Sequence, residues 1–123
     1  MVAAAVAALA LVAPPSQPGP WHQAGAALIS KPGKLGHFFR SVSSPKALGV
    51  VAVSSSAKPI RLSWFGYCEV ESDDGMTGQN QAVVTGMHRV VAYPPVLTGA
   101  TMCTVVVTVR VAGGRAAAAV FDY

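Results

Sequence analysis

Four of the five acidic residues of this 123-residue chain lie within six positions, which is dense enough to hold a cation. They are Glu69, Glu71, Asp73 and Asp74. Ca²⁺ prefers oxygen ligands, and the repulsion within such a cluster is relieved by a cation or by water. The spacing is not that of an EF-hand loop, and a solvated hairpin turn has the same composition. We therefore predict no cofactor, with a Ca²⁺-dependent adhesion site in the acidic turn 69–75 as the alternative.

The histidines show no pattern for catalysis. His22, His37 and His88 are scattered, and none has a partner at metal-ligand spacing. The serines do not form a Gly-x-Ser-x-Gly elbow, and the chain has neither a phosphate-binding glycine loop nor a dinucleotide fingerprint. We predict a non-enzymatic protein without catalytic residues. The alternative is a small secreted hydrolase whose polar residues converge only in the folded chain.

The two cysteines, Cys68 and Cys103, are predicted to form a disulfide. Alternate residues of an extended strand share a face, so Cys68 lies on an apolar face with Trp64. Cys103 lies on the apolar face of a valine-rich strand. Two inward cysteines on long strands of an exported domain favour a bridge through or beside the core. The alternative is two reduced cysteines that pack as small apolar residues.

Aromatic and basic residues are predicted to form a binding patch. Neighbouring residues of a strand point to opposite sides, so the aromatic pairs at 38–39 and 64–65 must each present one ring to an outer surface. Arg61, Phe65 and Tyr67 share the outer face of their strand. Rings exposed on a flat sheet face can contact carbohydrate or protein, and the alternative is that loops cover these rings.

The charge distribution gives a further indication of partners. Nine Lys and Arg residues outnumber five acidic residues, and the basic residues are spread along the chain. Because most acidic residues are clustered, the rest of the surface is basic, a distribution that solubility alone explains. The partner is unknown from the sequence, and the alternative is that this surface attracts an anionic envelope polymer or an extracellular protein. Only 11% of the residues are charged, and no nucleic-acid motif is present, so we predict no nucleic-acid partner.

The first residues indicate export. Val2 to Ala13 form an unbroken apolar run of 12 residues, whereas a transmembrane helix needs about 20. No Lys or Arg precedes the run. We predict a signal peptide or hydrophobic leader over 1–13, a Pro-rich spacer over 14–20, a single domain over 21–123 and no transmembrane span. The predicted location is secreted or cell envelope, and the alternative is an Ala-rich helix of a cytosolic protein.

The remaining chain must position these residues, and its pattern predicts strands. Runs of β-branched or alternating residues are separated by Gly, Pro and Ser clusters. The predicted strands cover 24–30, 35–42, 48–54, 60–70, 81–93, 102–112 and 116–122. About seven short strands predict an all-β fold, a small antiparallel β-sandwich. The alanines at 116–119 also have high helix propensity, so a short helix is the alternative there.

Trp64, Cys68 and Cys103 resemble the Trp and the cysteine pair of immunoglobulin-like sandwiches. In antibody-type domains the Trp lies between the two cysteines, whereas here Trp64 precedes Cys68. Thr101 stands where those domains have a Tyr, two residues before the second cysteine. The resemblance implies a sandwich, immunoglobulin-like or jelly-roll-like, and implies no antibody-like function.

Overall fold

Strands make up the regular structure of the computed structural model, which describes residues 12–70 and 76–123. The described part of the chain contains no helix that is long and apolar enough to cross a membrane. Its strands are β1 (His22–Gln23), β2 (Leu28–Ile29), β3 (Gly36–Ser43), β4 (Leu48–Ser54), β5 (Ile60–Val70), β6 (Met76–Gly86), β7 (Arg89–Ala92), β8 (Ala100–Val111) and β9 (Ala116–Asp122).

The sheet order is that of one long hairpin rolled into two layers. One sheet has the order β1-β9-β4-β7, with β2 also paired to β9, and the other has the order β3-β8-β5-β6. With β1 and β2 counted as one interrupted strand, the first strand pairs with the last and the second with the second to last. The nesting continues inward to the β5–β6 hairpin, and every pair is antiparallel. This is the jelly-roll form of a sandwich, and it confirms the predicted all-β fold.

Three predicted strands have the observed bounds, and two are wrong. The segment 24–30 contains only the two-residue strand β2. The segments 48–54, 60–70 and 116–122 are β4, β5 and β9, so the alanine run is a strand. The segment 81–93 is divided between β6 of one sheet and β7 of the other. His88 has a φ of 61° between these strands, a left-handed conformation that ends the extended chain.

The core lies between the two sheets and is built by strand alternation. Along β5 the buried residues are Ile60, Leu62, Trp64, Gly66 and Cys68, and along β8 they include Cys103, Val105, Val107, Val109 and Val111. These are the inward faces that the sequence predicts. Burial of this apolar surface is the main favourable contribution to folding.

The predicted disulfide is present and joins two neighbouring strands of one sheet. Cys68 of β5 and Cys103 of β8 are directly opposite in the register, and their Cα atoms are 4.0 Å apart. The bridge therefore lies beside the core within one layer, whereas an antibody domain has a bridge between its layers. It closes a loop with a sequence separation of 35, which is worth about 4 kcal/mol in the chain-entropy model.

The outer face of the five-stranded sheet is apolar and is covered by the chain that precedes β1. A second buried cluster consists of Val12, Val51, Ala117, Ala119 and Phe121, with Trp21 and Ile29 among the side chains packed against it. We call residues 12–21 the N-terminal cover. They include the Pro-rich segment 14–20, which therefore contacts the sandwich, while the predicted domain limits stay a prediction.

Hydrogen bonds attach the N-terminal cover to the sheet. The Arg89 guanidinium donates to the carbonyl oxygen of Pro14 at 2.7 Å, and the backbone N–H of Gln17 donates to the Tyr93 hydroxyl at 3.0 Å. Gly49 of β4 permits the close approach, because a Cβ atom there would lie 2.5 Å from Cγ of Pro15. Residues near the start of the described chain are thus part of the packed structure.

Candidate binding surface

The outer face of the four-stranded sheet carries a row of apolar side chains across three strands. The register places Phe39 of β3 opposite Val106 of β8, and Val106 opposite Phe65 of β5. Neighbouring strands lie about 4.8 Å apart, so the two phenylalanines are about 10 Å apart at the backbone. Phe39 is 62% exposed, and Phe65 is half-buried. We call Phe39, Val106 and Phe65 the apolar row.

Hydroxyl groups border the apolar row on both sides. On one side the register aligns Ser41, Thr104 and Tyr67, and the hydroxyl oxygens of Ser41 and Thr104 are 2.9 Å apart. On the other side it aligns Thr108 and Ser63. Residues two apart on a strand are separated by about 7 Å, so the face alternates between apolar and hydroxyl-bearing rows at that interval.

Side chains around Phe65 shape the middle of this face. The ring centroids of Phe65 and Tyr67 are 5.9 Å apart, with the ring planes tilted by 51°. A shallow depression of about 430 Å³ adjoins Phe65, and Ser63, Gln81 and Val83 are among its lining residues. The face thus combines two rings with an amide and hydroxyl groups that can donate or accept hydrogen bonds.

A pair of arginines lies on the same face, near the start of β5 at Ile60. Arg61 of β5 and Arg110 of β8 are directly opposite in the register, and both are exposed. With Ser63, Thr108 and Leu35 they line a depression of about 270 Å³. The face therefore has an aromatic middle and a strongly basic end.

The three residues of the predicted patch all lie on this face. Arg61, Phe65 and Tyr67 occupy alternate outward positions of β5, as the sequence pattern indicates. The sequence did not reveal that Phe39 and Arg110 join them, because their placement depends on the pairing of β8 with β3 and with β5. The binding role of the patch stays a prediction.

The acidic cluster is only partly within the described structure. Glu69 lies near the end of β5, opposite Met102 of β8. Glu71, Asp73 and Asp74 lie outside the described residues, so the alternative of a Ca²⁺ site stays a prediction. Within residues 12–70 and 76–123 no group of three or more His, Cys, Asp or Glu side chains could hold a metal ion.

The three histidines occupy separate parts of the fold. Nε2 of His22 lies 3.0 Å from Oδ1 of Asp122, at the paired ends of β1 and β9. Burial raises the pKa of the Asp122 carboxyl, and the charge of His22 partly opposes this rise. His37 contacts the Thr108 hydroxyl at 3.1 Å on the four-stranded sheet, and His88 lies in the β6–β7 turn.

Comparison with known proteins identifies no family for this chain. The chain matches no protein-family model and no curated protein.

Proposed function

We propose that this protein is a non-enzymatic, extracytoplasmic binding module that binds a polysaccharide on the outer face of its four-stranded sheet. The observation that carries the proposal is the apolar row of Phe39, Val106 and Phe65, with hydroxyl-bearing rows on both sides of it. A sugar ring has apolar C–H faces and a rim of hydroxyl groups. An aromatic ring contacts the apolar face, and neighbouring side-chain hydroxyls and amides pair with the rim.

The extent of the face supports an extended polymer as the ligand. The apolar row crosses β3, β8 and β5, which gives a contact surface of about 10 Å across these strands. The depressions on the face are shallow and open, whereas sites for small molecules enclose most of the ligand. A polymer gains affinity from several adjacent weak contacts, and a face that extends over three strands provides these.

The exported location is supported by the disulfide. Cys68 and Cys103 are bonded to each other, and stable disulfides belong mainly to oxidising compartments. Together with the apolar run at 2–13, this pairing favours secretion or attachment to the cell envelope.

The proposal of a non-enzymatic role is supported by the location of the one described contact between a histidine and an acid. His22 and Asp122 belong to the five-stranded sheet, whereas the apolar row lies on the four-stranded sheet. Within the described residues, no serine hydroxyl forms a hydrogen bond with His22. A nucleophile, base and orienting acid would need to lie within hydrogen-bond reach of one another.

Affinity electrophoresis through gels containing soluble polysaccharides tests the proposal. The gels contain hydroxyethyl cellulose, dextran, polygalacturonate or no polymer. We expect at least one polymer to retard the wild-type protein. Phe39→Ala and Phe65→Ala should each weaken the affinity derived from this retardation about fivefold, because each removes an aromatic contact worth about 1 kcal/mol.

Leu97→Ala is the matched control, because Leu97 is an exposed apolar residue in the connection between β7 and β8. We expect this variant to migrate like the wild type. The proposal is wrong if none of the polymers retards the wild-type protein. It is also wrong if the two Phe variants, with unchanged melting temperatures, are retarded as strongly as the Leu97 control.

A further inference from the structure

We infer that Arg61 and Arg110 form a binding site for an oxyanion carried by the polysaccharide, a carboxylate or a sulfate group. The inference rests on the proposed function and adds the charge class of the ligand. It depends on four features: the opposition of the two arginines, their lack of partners within the described chain, the hydroxyl groups beside them and their distance from the apolar row.

Arg61 and Arg110 are directly opposite each other in the register, and no acidic side chain of the described residues forms a salt bridge with either. Residues directly opposite in an antiparallel pair have Cβ atoms about 5 Å apart, and like charges at such positions are destabilising. Of the acidic residues that the structure describes, Asp122 belongs to the other sheet, and Glu69 is about 26 Å from Arg61 along β5. Neither arginine forms a salt bridge within the described residues. An oxyanion would replace the repulsion with two favourable contacts.

Two of the other three arginines, Arg40 and Arg89, are used differently. Nε of Arg40 donates to the carbonyl oxygen of Ala24 at 3.0 Å, and the side chain of Arg89 donates to Pro14. These two residues join strands to the segments that cover them. The side chains of Arg61 and Arg110 form no hydrogen bond to the described part of the chain, so their donors are available to a ligand. Each guanidinium has five N–H donors in a planar fork that suits an oxyanion.

The surroundings of the pair have the composition of an anion site. The depression between the arginines is lined by the hydroxyl-bearing residues Ser63 and Thr108 and by Leu35. A second depression of about 490 Å³ reaches both arginines from the side of Pro59. Hydroxyl groups add neutral donors next to the charged ones, and access from two sides suits a substituent on a chain that continues past the site.

The distance to the apolar row matches a polymer. Arg61 lies four residues before Phe65 on the same strand and face, which is about 13 Å. One sugar unit can therefore contact Phe65 while the charged group of another unit reaches the arginines. Binding at both points makes the second contact intramolecular, which strengthens the binding of an acidic polymer relative to a neutral one.

The test compares charged polymers with neutral polymers of the same backbone. The first pair is polygalacturonate and its fully methyl-esterified form, which carry the carboxylate and its neutral ester. The second pair is dextran sulfate and dextran. We expect the wild-type protein to bind a charged member of these pairs about tenfold or more tightly than its neutral counterpart, and the pair that shows this preference identifies the oxyanion.

Variants that each remove one positive charge show which residues cause the preference for the charged polymer. Arg61→Gln and Arg110→Gln should each remove most of the charge preference and leave binding to the neutral polymer within twofold of the wild type. Lys46→Gln is the matched control, because it removes one exposed positive charge from the β3–β4 connection. The Lys46→Gln variant should retain the preference for the charged polymer. The slope of log Kd for the charged polymer against log salt concentration should decrease only in the two arginine variants.

Two outcomes overturn the inference. In one, the arginine variants behave like Lys46→Gln, which would mean that overall charge determines the preference. In the other, Arg110→Gln lowers the melting temperature by several degrees without polymer, which would mean that the pair has a structural role. If either outcome occurred while the wild-type protein still bound neutral polymer through Phe65, the proposed function would stay in place. If the wild-type protein bound none of the polymers, both the inference and the proposed function would be refuted.

Discussion

The outer faces of the two sheets differ in what covers them. In the five-stranded sheet, β9 is buried on both faces, and the N-terminal cover lies over its outer side chains. In the four-stranded sheet, β5 alternates between buried and more exposed residues, and its outer face is open. The centre of one sheet, at β4 and β9, is thus enclosed on both sides, whereas β5 of the other sheet has a single buried side. The open face is the one available to a ligand.

The residue types follow this difference. The outer side chains of β9 include Ala117 and Ala119, which are small enough for the cover to approach the backbone. Glycine at position 49 has the same effect beneath Pro15. The outer side chains of β5 are larger and mostly polar or aromatic, as a hydrated face requires. A strand of small apolar residues therefore indicates close packing on both sides, even where its composition resembles that of a helix.

The largest expected effect concerns the four-stranded sheet, which has an open outer face and is cross-linked by the disulfide. Cys103→Ser should lower the free energy of unfolding by about 4 kcal/mol, because it removes the cross-link and places a hydroxyl in an apolar setting. This corresponds to a decrease of roughly 15 °C or more in the melting temperature, measured by circular dichroism.

The matched control for this prediction is the chemically reduced wild-type protein, in which both thiols are retained. Its melting temperature should fall nearly as far as that of the variant. An unchanged melting temperature in both samples would contradict the account of the open sheet.

A second prediction compares the two outer faces directly. Trp21→Ala should destabilise the protein by about 2 kcal/mol, because the indole is half-buried against the covered sheet and donates a hydrogen bond of 2.7 Å to Gln17. Phe39→Ala on the open face should change the stability by less than about 0.5 kcal/mol. Denaturation in urea measures both. Equal effects of the two substitutions would remove the distinction between a covered and an open face.

The smallest expected effect is a pH dependence that belongs to the covered sheet. The pKa of Asp122 is raised by burial, from an ordinary value of 3.8, so the folded protein binds more protons than the unfolded chain between 3.8 and the raised pKa. Its stability should therefore decrease as the pH rises through that interval. Asp122→Asn should abolish this contribution, as thermal melts at several pH values would show.

His22→Ala provides the control for this prediction. It removes the positive charge that lowers the pKa of Asp122, so the loss of stability with rising pH should become larger than in the wild type. An increase in the stability of the wild type relative to Asp122→Asn across the same interval would contradict the assignment.

The sequence predicts what depends on local alternation and turn chemistry. The bounds of β4, β5 and β9 are set by alternating or apolar runs with Gly, Pro or Ser at their ends, and the outward placement of Phe65 follows from its neighbours. The division of 81–93 was not visible, because the turn at Gly86 and His88 contains neither Pro nor an Asn-Gly pair. A left-handed histidine has no local signal of comparable strength.

Pairing between distant strands accounts for what the sequence could not predict about the candidate site. Arg61 and Arg110 are separated by 49 positions, and only the β5–β8 register makes them neighbours. Phe39 joins the face through β8 in the same way. Likewise, the Pro-rich composition of 14–20 favours an extended chain but contains no information on whether that chain packs on a surface.

The central position of β9 has a consequence for the order in which the molecule can assemble. This strand pairs with β1, β2 and β4, so these three pairings can form only after residues 116–122 have been synthesised. Because such long-range pairing is slow, we expect the five-stranded layer to form late in folding.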